Sequence, residues 1–183
     1  MCGRLIHSGQ PGSRRGWQKG GTQEPPDHAL GRSRGGFGSK LHLVTDGRGL
    51  PLAAEVTAGQ RHDSTRFEGL MNAVRIGRRS RPARVAGDKG YSFPRIRRWL
   101  RRHGIAAVIP QKSNQLARHR GHPLNFDKDA YKRRSVIECC MGWLKECRRI
   151  ATRFEKLALN FLAMIKLAII RRYLRILHLS DTT

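Results

Sequence analysis

Ser39-Lys40-Leu41-His42-Leu43-Val44-Thr45-Asp46-Gly47-Arg48-Gly49, continued by Leu52-Ala53-Ala54-Glu55-Val56-Thr57, is the stretch that decides the fold class. Residues 39–45 alternate between side-chain types with the two-residue period of a strand. Asp46-Gly47-Arg48-Gly49 is turn chemistry, because Asp caps backbone amides and Gly tolerates left-handed φ. Residues 52–57 form a second run, so the stretch predicts a hairpin. Toward the C-terminus, Gly59 to Thr65 is a loop, and Thr65 with Glu68 fits a capping box for a helix over about 66–75. Arg78 to Arg84 is a basic linker, and Val85-Ala86-Gly87 is a short apolar strand that stops at Asp88. Ser92 fits the cap of a helix over about 93–103, which Gly104 ends. Ile105 to Ile109 reads as a buried strand ended by Pro110, residues 111–127 as loop, and two long helices follow over about 129–149 and 155–179. Toward the N-terminus, residues 1–39 hold ten glycines and three prolines without apolar periodicity and read as loop or tail. The chain therefore divides into a flexible Gly/Arg-rich segment, 1–36, and a folded domain, 37–179. The order β-β-α-β-α-β-α-α predicts an α/β fold, a mixed sheet flanked by helices.

The charge narrows the partner. The 183 residues carry 37 Lys plus Arg against 13 Asp plus Glu, a formal net charge of +24. Such an excess resists compaction unless a polyanion offsets it, which disfavours acidic substrates and makes nucleic acid the expected partner. It does not separate an enzyme acting on nucleic acid from a passive binder. The cysteines Cys2, Cys139, Cys140 and Cys147 include no C-x-x-C pair and read as thiols of a reducing compartment. The N-terminus has no apolar run of signal-peptide type. The most apolar stretch, Phe161 to Ile170, is interrupted by Lys166 and is too short to span a bilayer. A cytoplasmic protein without a membrane partner is expected. Phe161, Leu162, Ile165, Ile169 and Leu177 read as a core stripe of the last helix, and Arg171-Arg172-x-x-Arg175 leaves a dimer contact open.

Two acids draw notice. Asp88 sits where a buried strand ends, which fixes its Cα and leaves the carboxylate open to water; a turn or cap role is the ordinary reading of such an Asp. At 100° per residue, Tyr131, Arg134, Glu138 and Lys145 fall within about 60° on one helix face, beside the apolar stripe of Ile137, Met141 and Leu144. This is either a functional charge row or an ordinary Arg134–Glu138 i,i+4 pair. Arg32-Ser33-Arg34-Gly35-Gly36 combines mobile amides with cations and reads either as a phosphate contact or as a lead-in to the first strand. Between Arg75 and Arg102, eleven Lys or Arg residues surround a single acid, Asp88, which is either a DNA-attracting field or a solvated face of biased composition.

The spacing Tyr131-x2-Arg134-x3-Glu138-x6-Lys145 resembles the Y-x2-R-x3-E-x6-K signature of bacterial insertion-sequence transposases of the DDE type. Further landmarks resemble the insertion-sequence-five branch of that family: Gly31-Arg32-Ser33-Arg34-Gly35-Gly36, Gly59-Gln60-x-His62-Asp63-Ser64, Asp88-Lys89-Gly90-Tyr91, Val108-Ile109-Pro110, Arg148 to Arg153, and Lys156-Leu157-Ala158-x-Asn160-Phe161. They follow the family's order over about residues 27–170. The resemblance implies an RNase H-like catalytic domain over 37–179, in which three carboxylates converge on two divalent ions, Mg²⁺ or Mn²⁺. It implies metal-dependent phosphoryl transfer, with DNA strand cleavage followed by transfer of the 3′-OH end. Asp88 would be the second acid and Glu138 the third, both metal ligands and both catalytic. Lys145 would hold phosphate near the scissile bond, Arg134 and Tyr131 would contact the transposon-end backbone or orient Glu138, and Arg32 and Arg34 would touch phosphate. Partners would be transposon-end and target DNA, with a homodimer or larger synaptic assembly, in a bacterial cytoplasm at the nucleoid.

The chain departs from the family at the first acid. Arg4-Leu5-Ile6-His7 matches a remnant of the element that follows it, and no acid precedes Glu24. Asp27, Asp46 and Asp63 sit at structural positions. The resemblance therefore implies an N-terminally truncated domain that lacks its first strand, its first catalytic Asp and the upstream DNA-binding segment, and that is inactive alone. A non-enzymatic basic nucleic-acid-binding protein is the alternative. A weaker third reading is a zinc protein using His7, His28, His42 and His62.

Overall fold

The hairpin forms where the sequence places it. In the computed structural model, which describes residues 2–6, 26–33, 36–77, 81–116 and 126–180, strand β3 spans Gly36–Thr45 and β4 spans Pro51–Ala58. Asp46 makes the turn: its Oδ1 accepts from the amides of Arg48 and Leu50, each at 2.8 Å, and Gly49 takes φ +84°. This Asp is spent on backbone amides, as its structural reading requires. A side chain on Gly49 would come within 3.2 Å of the Val136 carbonyl, so the turn lies against the start of a later helix.

Residues 1–39, read as loop, contain three pieces of strand, and this corrects the reading. Strand β1 (Cys2–Ile6) and strand β2 (Gly31–Ser33) both pair with β3, as does β4. The pairing of β2 with β3 is antiparallel, Gly31 opposite Gly38, Arg32 opposite Phe37 and Ser33 opposite Gly36. Strands of five and three residues, each with one glycine that carries no side chain, are too short to show a period. Close backbone approach explains the glycines instead: a Cβ on Gly59 would sit 2.8 Å from the Gly38 carbonyl oxygen and 2.9 Å from that of Gly31. Gly59→Ala is therefore expected to lower stability by about 1–3 kcal/mol, read as a lower urea midpoint with unchanged slope.

The alternation in β3 is also corrected. Gly38 to Thr45 are all buried, so the polar members satisfy themselves inside. Ser39 Oγ donates to the Ala29 carbonyl at 2.7 Å, Lys40 Nζ donates to the Arg61 carbonyl, and His42 Nε2 lies 2.8 Å from Thr57 Oγ1. Buried polar groups that find partners cost little.

Past β4, a 3-10 turn (Asp63–Thr65) leads into α1, Phe67–Ala73. The capping box between Thr65 and Glu68 does not form. Thr65 Oγ1 donates back to the His62 carbonyl at 2.7 Å, and Glu68 lies 3.9 Å from Arg95. His62 caps the 3-10 turn instead, its Nδ1 accepting from the Ser64 amide at 3.2 Å, and α1 itself has Arg66 at its N-cap with no side-chain cap. Strand β5 (Arg84–Ala86) pairs in parallel with β6 (Ala106–Val108), joined by α2, Pro94–Arg102. A strand-helix-strand return of this kind is what parallel pairing requires. Gly104 closes α2 with φ +67°. Ser92 does not cap it; its hydroxyl donates to Gln115 Oε1 at 2.7 Å, from the short helix α3 (Ser113–Leu116).

Of the two long terminal helices, the first is also corrected and the second forms as expected. The first divides into α4 (Lys128–Lys132), a 3-10 stretch over Arg133–Ser135, α5 (Val136–Glu146) and a short α6 (Arg148–Ala151). The last, α7, spans Ala158–Ser180. No helix among the described residues is long and apolar enough to cross a membrane.

The chain forms two compact units, one made of residues 1–3, 43–53 and 62–139, the other of 4–42, 54–61 and 140–183. The first unit is centred on Phe67, Leu70, Ile96, Leu100 and Ile105, which pack with Val85 and Tyr91 around β5, α1 and α2. In the second, Leu41, Met141, Leu144, Ile150, Phe161 and Ile165 are buried, and α6 packs on α7. The chain is thus a mixed α/β protein.

Candidate functional site

Asp88 follows β5 directly, after Gly87, whose amide donates to the Val108 carbonyl at 3.2 Å and so extends the parallel pair. The backbone then closes a 3-10 turn, Lys89–Tyr91, with Asp88 as its cap: Oδ1 accepts from the Gly90 amide at 2.7 Å. The ordinary cap role is therefore real, and it occupies one oxygen. Among the described residues Oδ2 makes no hydrogen bond, and the side chain is half-buried.

A polar clamp holds this turn. Ser92 is fully buried. Its carbonyl accepts from Gln115 Nε2 at 2.8 Å, and Gln115 Oε1 takes both the Ser92 hydroxyl and, at 3.1 Å, the Lys112 amide. Arg97 donates to Ser92 Oγ at 3.2 Å and to the Ile109 carbonyl at 2.7 Å. Burial lowers the Arg97 pKa from its ordinary value. The segments after β5 and after β6 are thereby tied together. Room inside the turn is limited: a Cβ on Gly90 would lie 2.8 Å from Asp88 Oδ1. Gly90→Ala is expected to displace the Asp88 carboxylate while changing stability by less than about 2 kcal/mol. Amide chemical shifts that move only around residues 87–92 would support this, and shifts identical to the parent would refute it.

Glu138 lies in the first turn of α5. Arg134 Nη2 donates to its Oε1 at 3.0 Å, with Glu138 63% exposed and Arg134 24% exposed. A pair this open contributes about 0.3–0.5 kcal/mol. The Arg134 guanidinium also sits over the Tyr131 ring, 5.5 Å from its centroid. Tyr131 packs against Phe126 at 5.2 Å between ring centroids, beside the cluster of Ala86, Val108 and Ala130 at the ends of β5 and β6. The structure thus joins Tyr131, Arg134 and Glu138 in one row despite the 3-10 stretch between them. That stretch adds about 20° per residue to the helical rotation assumed from the sequence. The row survives because both contacts lie within one turn of Arg134.

The remaining predicted residues are placed separately. Lys145 is exposed on α5 seven residues after Glu138 and makes no ion pair among the described residues; it belongs to the second unit, as does Arg32, exposed on β2. Arg34 lies outside the described residues. His7 lies outside them too, so the zinc reading is addressed only through the other three: His28 is buried, His42 pairs with Thr57 and His62 caps a turn. Among the described residues, no three His, Cys, Asp or Glu side chains come together as a metal cluster. Asp88 Oδ2 and Glu138 Oε2 each remain without a hydrogen bond among these residues, donors of the oxygen type that suits a hard divalent cation.

Sequence reasoning missed Arg153. Its guanidinium donates to the carbonyls of Glu155 (2.8 Å), His28 (2.7 Å) and Lys156 (2.8 Å) and to the Ser39 hydroxyl, and it lies over the Phe161 ring. Burial lowers its pKa and nearby Glu155 opposes that. In the sequence Arg153 stands only as the last residue of the Arg148 to Arg153 motif. Its isolated position among Thr152, Phe154 and Glu155 gave no signal of this role.

The family model described as "Transposase DDE domain" matches residues 11–172. A Burkholderia cepacia protein named as transposase for insertion sequence element IS402 is 36% identical over 136 residues, covering 71% of this chain and 60% of that protein. A Brucella ovis protein named as transposase for insertion sequence element IS6501 is 31% identical over 138 residues, covering 75% of this chain and 98% of that protein. The chain thus spans about three-fifths of the first relative's length and nearly all of the second's. No solved structure matches.

Proposed function

The chain belongs to the transposase DDE-domain family, and from that premise we propose that it carries part of the catalytic centre of an insertion-sequence transposase of the insertion-sequence-five branch, RNase H-like in its sheet. The observation that carries this reading is the pair of acids in the first unit, each with one carboxylate oxygen left over from its structural bond. Asp88 is held by the clamp of Ser92, Gln115 and Arg97, and Glu138 by Arg134 on Tyr131. In this reading both acids are ligands of Mg²⁺ or Mn²⁺, two ions in a complete centre. Bound there, such ions activate a water or a DNA 3′-OH and stabilise the leaving oxygen. The chain's own work is to orient the two carboxylates and to hold DNA phosphates with Lys145, Arg134, Arg32 and Arg34, with the Tyr131 ring seating Arg134.

Strand β1, Cys2-Gly3-Arg4-Leu5-Ile6, contains no acid, and this reading assigns two of the three carboxylates of such a centre, Asp88 and Glu138. We therefore expect the 183 residues by themselves not to cleave DNA. The working form would be a homodimer or larger assembly on transposon ends and target, at the bacterial nucleoid.

A second reading is favoured by the same contacts: Asp88 caps a turn and Glu138 makes an i,i+4 pair, which is all a non-enzymatic DNA binder needs of them. A strand-cleavage assay separates the two. The chain is supplied with a fused strand bearing Asp-Ser-Thr and assayed in Mg²⁺, with Glu138→Gln alongside. Cleavage by the fusion that Glu138→Gln removes supports the transposase reading; a fusion that binds DNA without cutting it supports the binder.

A further inference from the structure

We propose that the outer face of α2, formed by Arg98, Arg101 and Arg102, is the principal phosphate-docking surface of the first unit and takes the backbone of duplex DNA. The proposal rests on the reading of DNA as partner and adds where the DNA lies.

The structure sorts the eleven cations between Arg75 and Arg102 by what each already does. Arg75 folds onto the carbonyls of Asn72 and Val74. Arg84 pairs with Asp127 at 3.2 Å. Arg95 donates to the Ser64 carbonyl and lies 3.9 Å from Glu68. Arg97 points inward to Ser92 and Ile109. Arg78 and Arg79 lie outside the described residues, and Arg81 and Lys89 are exposed but apart in sequence from the helix. The guanidinium groups of Arg98, Arg101 and Arg102 make no hydrogen bond or ion pair among the described residues, and all three are exposed.

Helix geometry gathers these three. At 100° per residue they cover an arc of about 100°, opposite the stripe of Ile96 and Leu100 that anchors the helix in the core. Trp99 fixes the inner side further, edge-on to Phe67 at 5.7 Å and stacked on His103 at 3.9 Å. The face is therefore presented by a rigid element. Like charges at i,i+3 and i,i+4 destabilise an isolated helix by a few tenths of a kcal/mol each, and no acid on α2 relieves them. A polyanion would. From Arg98 to Arg102 the helix rises about 6 Å, on the order of the through-space separation of neighbouring phosphates along one DNA strand. The helix begins six residues after Asp88 on the same strand-turn-helix segment, so phosphate bound there is registered to that acid's own turn.

The test is fluorescence anisotropy of a short labelled duplex of mixed sequence, titrated with the purified chain across a salt series. R98Q/R101Q/R102Q is expected to weaken binding about tenfold or more near 0.1 M salt and to reduce the slope of log K against log salt by about 2–3. R98K/R101K/R102K should keep the slope, because charge and position are retained. R148Q/R171Q/R175Q removes the same charge from exposed positions in the other unit and should leave the slope nearly unchanged. Circular dichroism melts confirm that each variant folds. Equal slope losses in the two glutamine variants would show that only net charge matters, and would overturn the proposal with DNA binding intact. A parent chain that fails to bind duplex even at low salt would instead remove the DNA reading on which the proposal stands.

Discussion

Arg153→Ala is expected to destabilise the second unit by about 3 kcal/mol, which in a chain of this length lowers Tm by roughly 6–12 °C. The guanidinium serves four acceptors from three separate parts of the chain: the carbonyls of Glu155 and Lys156 beside it, the His28 carbonyl, and the Ser39 hydroxyl in β3. His28 and Ser39 are buried, so water does not readily replace the lost donors. Leaving a buried acceptor unmatched costs about 1–3 kcal/mol, more than the net worth of a well-made bond. Phe161 also loses the cation over its ring. Arg153→Lys should recover less than half of the loss, because an ammonium is a point donor and cannot span the fork that reaches all four acceptors. Thermal melts of the three proteins check this; a lysine variant as stable as the parent would show that charge alone is required.

Glu138→Gln is expected to reduce metal-dependent cleavage by more than roughly 100-fold in a chain that has been supplied with a strand bearing the first acid, with DNA affinity held within about threefold. Outer partners of metal ligands already cost 10- to 100-fold when removed, and a ligand itself should cost more. The amide keeps the shape and can still meet Arg134, so the structural bond at 3.0 Å is approximately conserved. The Arg134–Glu138 pair is open to solvent and worth only tenths of a kcal/mol. A fall in cleavage without a fall in Tm therefore reports chemistry rather than folding. Asp88→Asn should behave alike, since an amide oxygen can still accept from the Gly90 amide. If both variants kept full cleavage, the two acids would be structural and the catalytic assignment would fail.

The candidate site was legible at the level of spacing. Tyr131, Arg134 and Glu138 are close in sequence, so a short-range period brings them together whether the backbone is α-helical or, as at Arg133–Ser135, 3-10. Asp88 was legible because a short apolar run ends just before it, and a residue just past a buried strand lies where the chain meets water. What surrounds Asp88 was not. Gln115 lies 23 residues beyond Ser92, and nothing in a polar loop between Pro110 and Phe126 distinguishes a clamp from a solvated amide. The basic field was legible only as a sum. Its division into inward, paired and outward arginines depends on which neighbours the fold supplies.

By itself the sequence determined the hairpin around residues 39–57, the strand-turn-helix-strand run from β5 to β6 and the family, because each is written in local periods, turn residues and fixed spacings. Tertiary structure alone decided that Gly31, Gly38 and Gly59 pack backbone against backbone, that β3 is buried along its polar positions, and that Arg153 joins residues 114 and 125 positions away. Such bonds depend on which distant carbonyl the folded chain brings within reach. That reach is a property of the packed structure and leaves no period in the sequence.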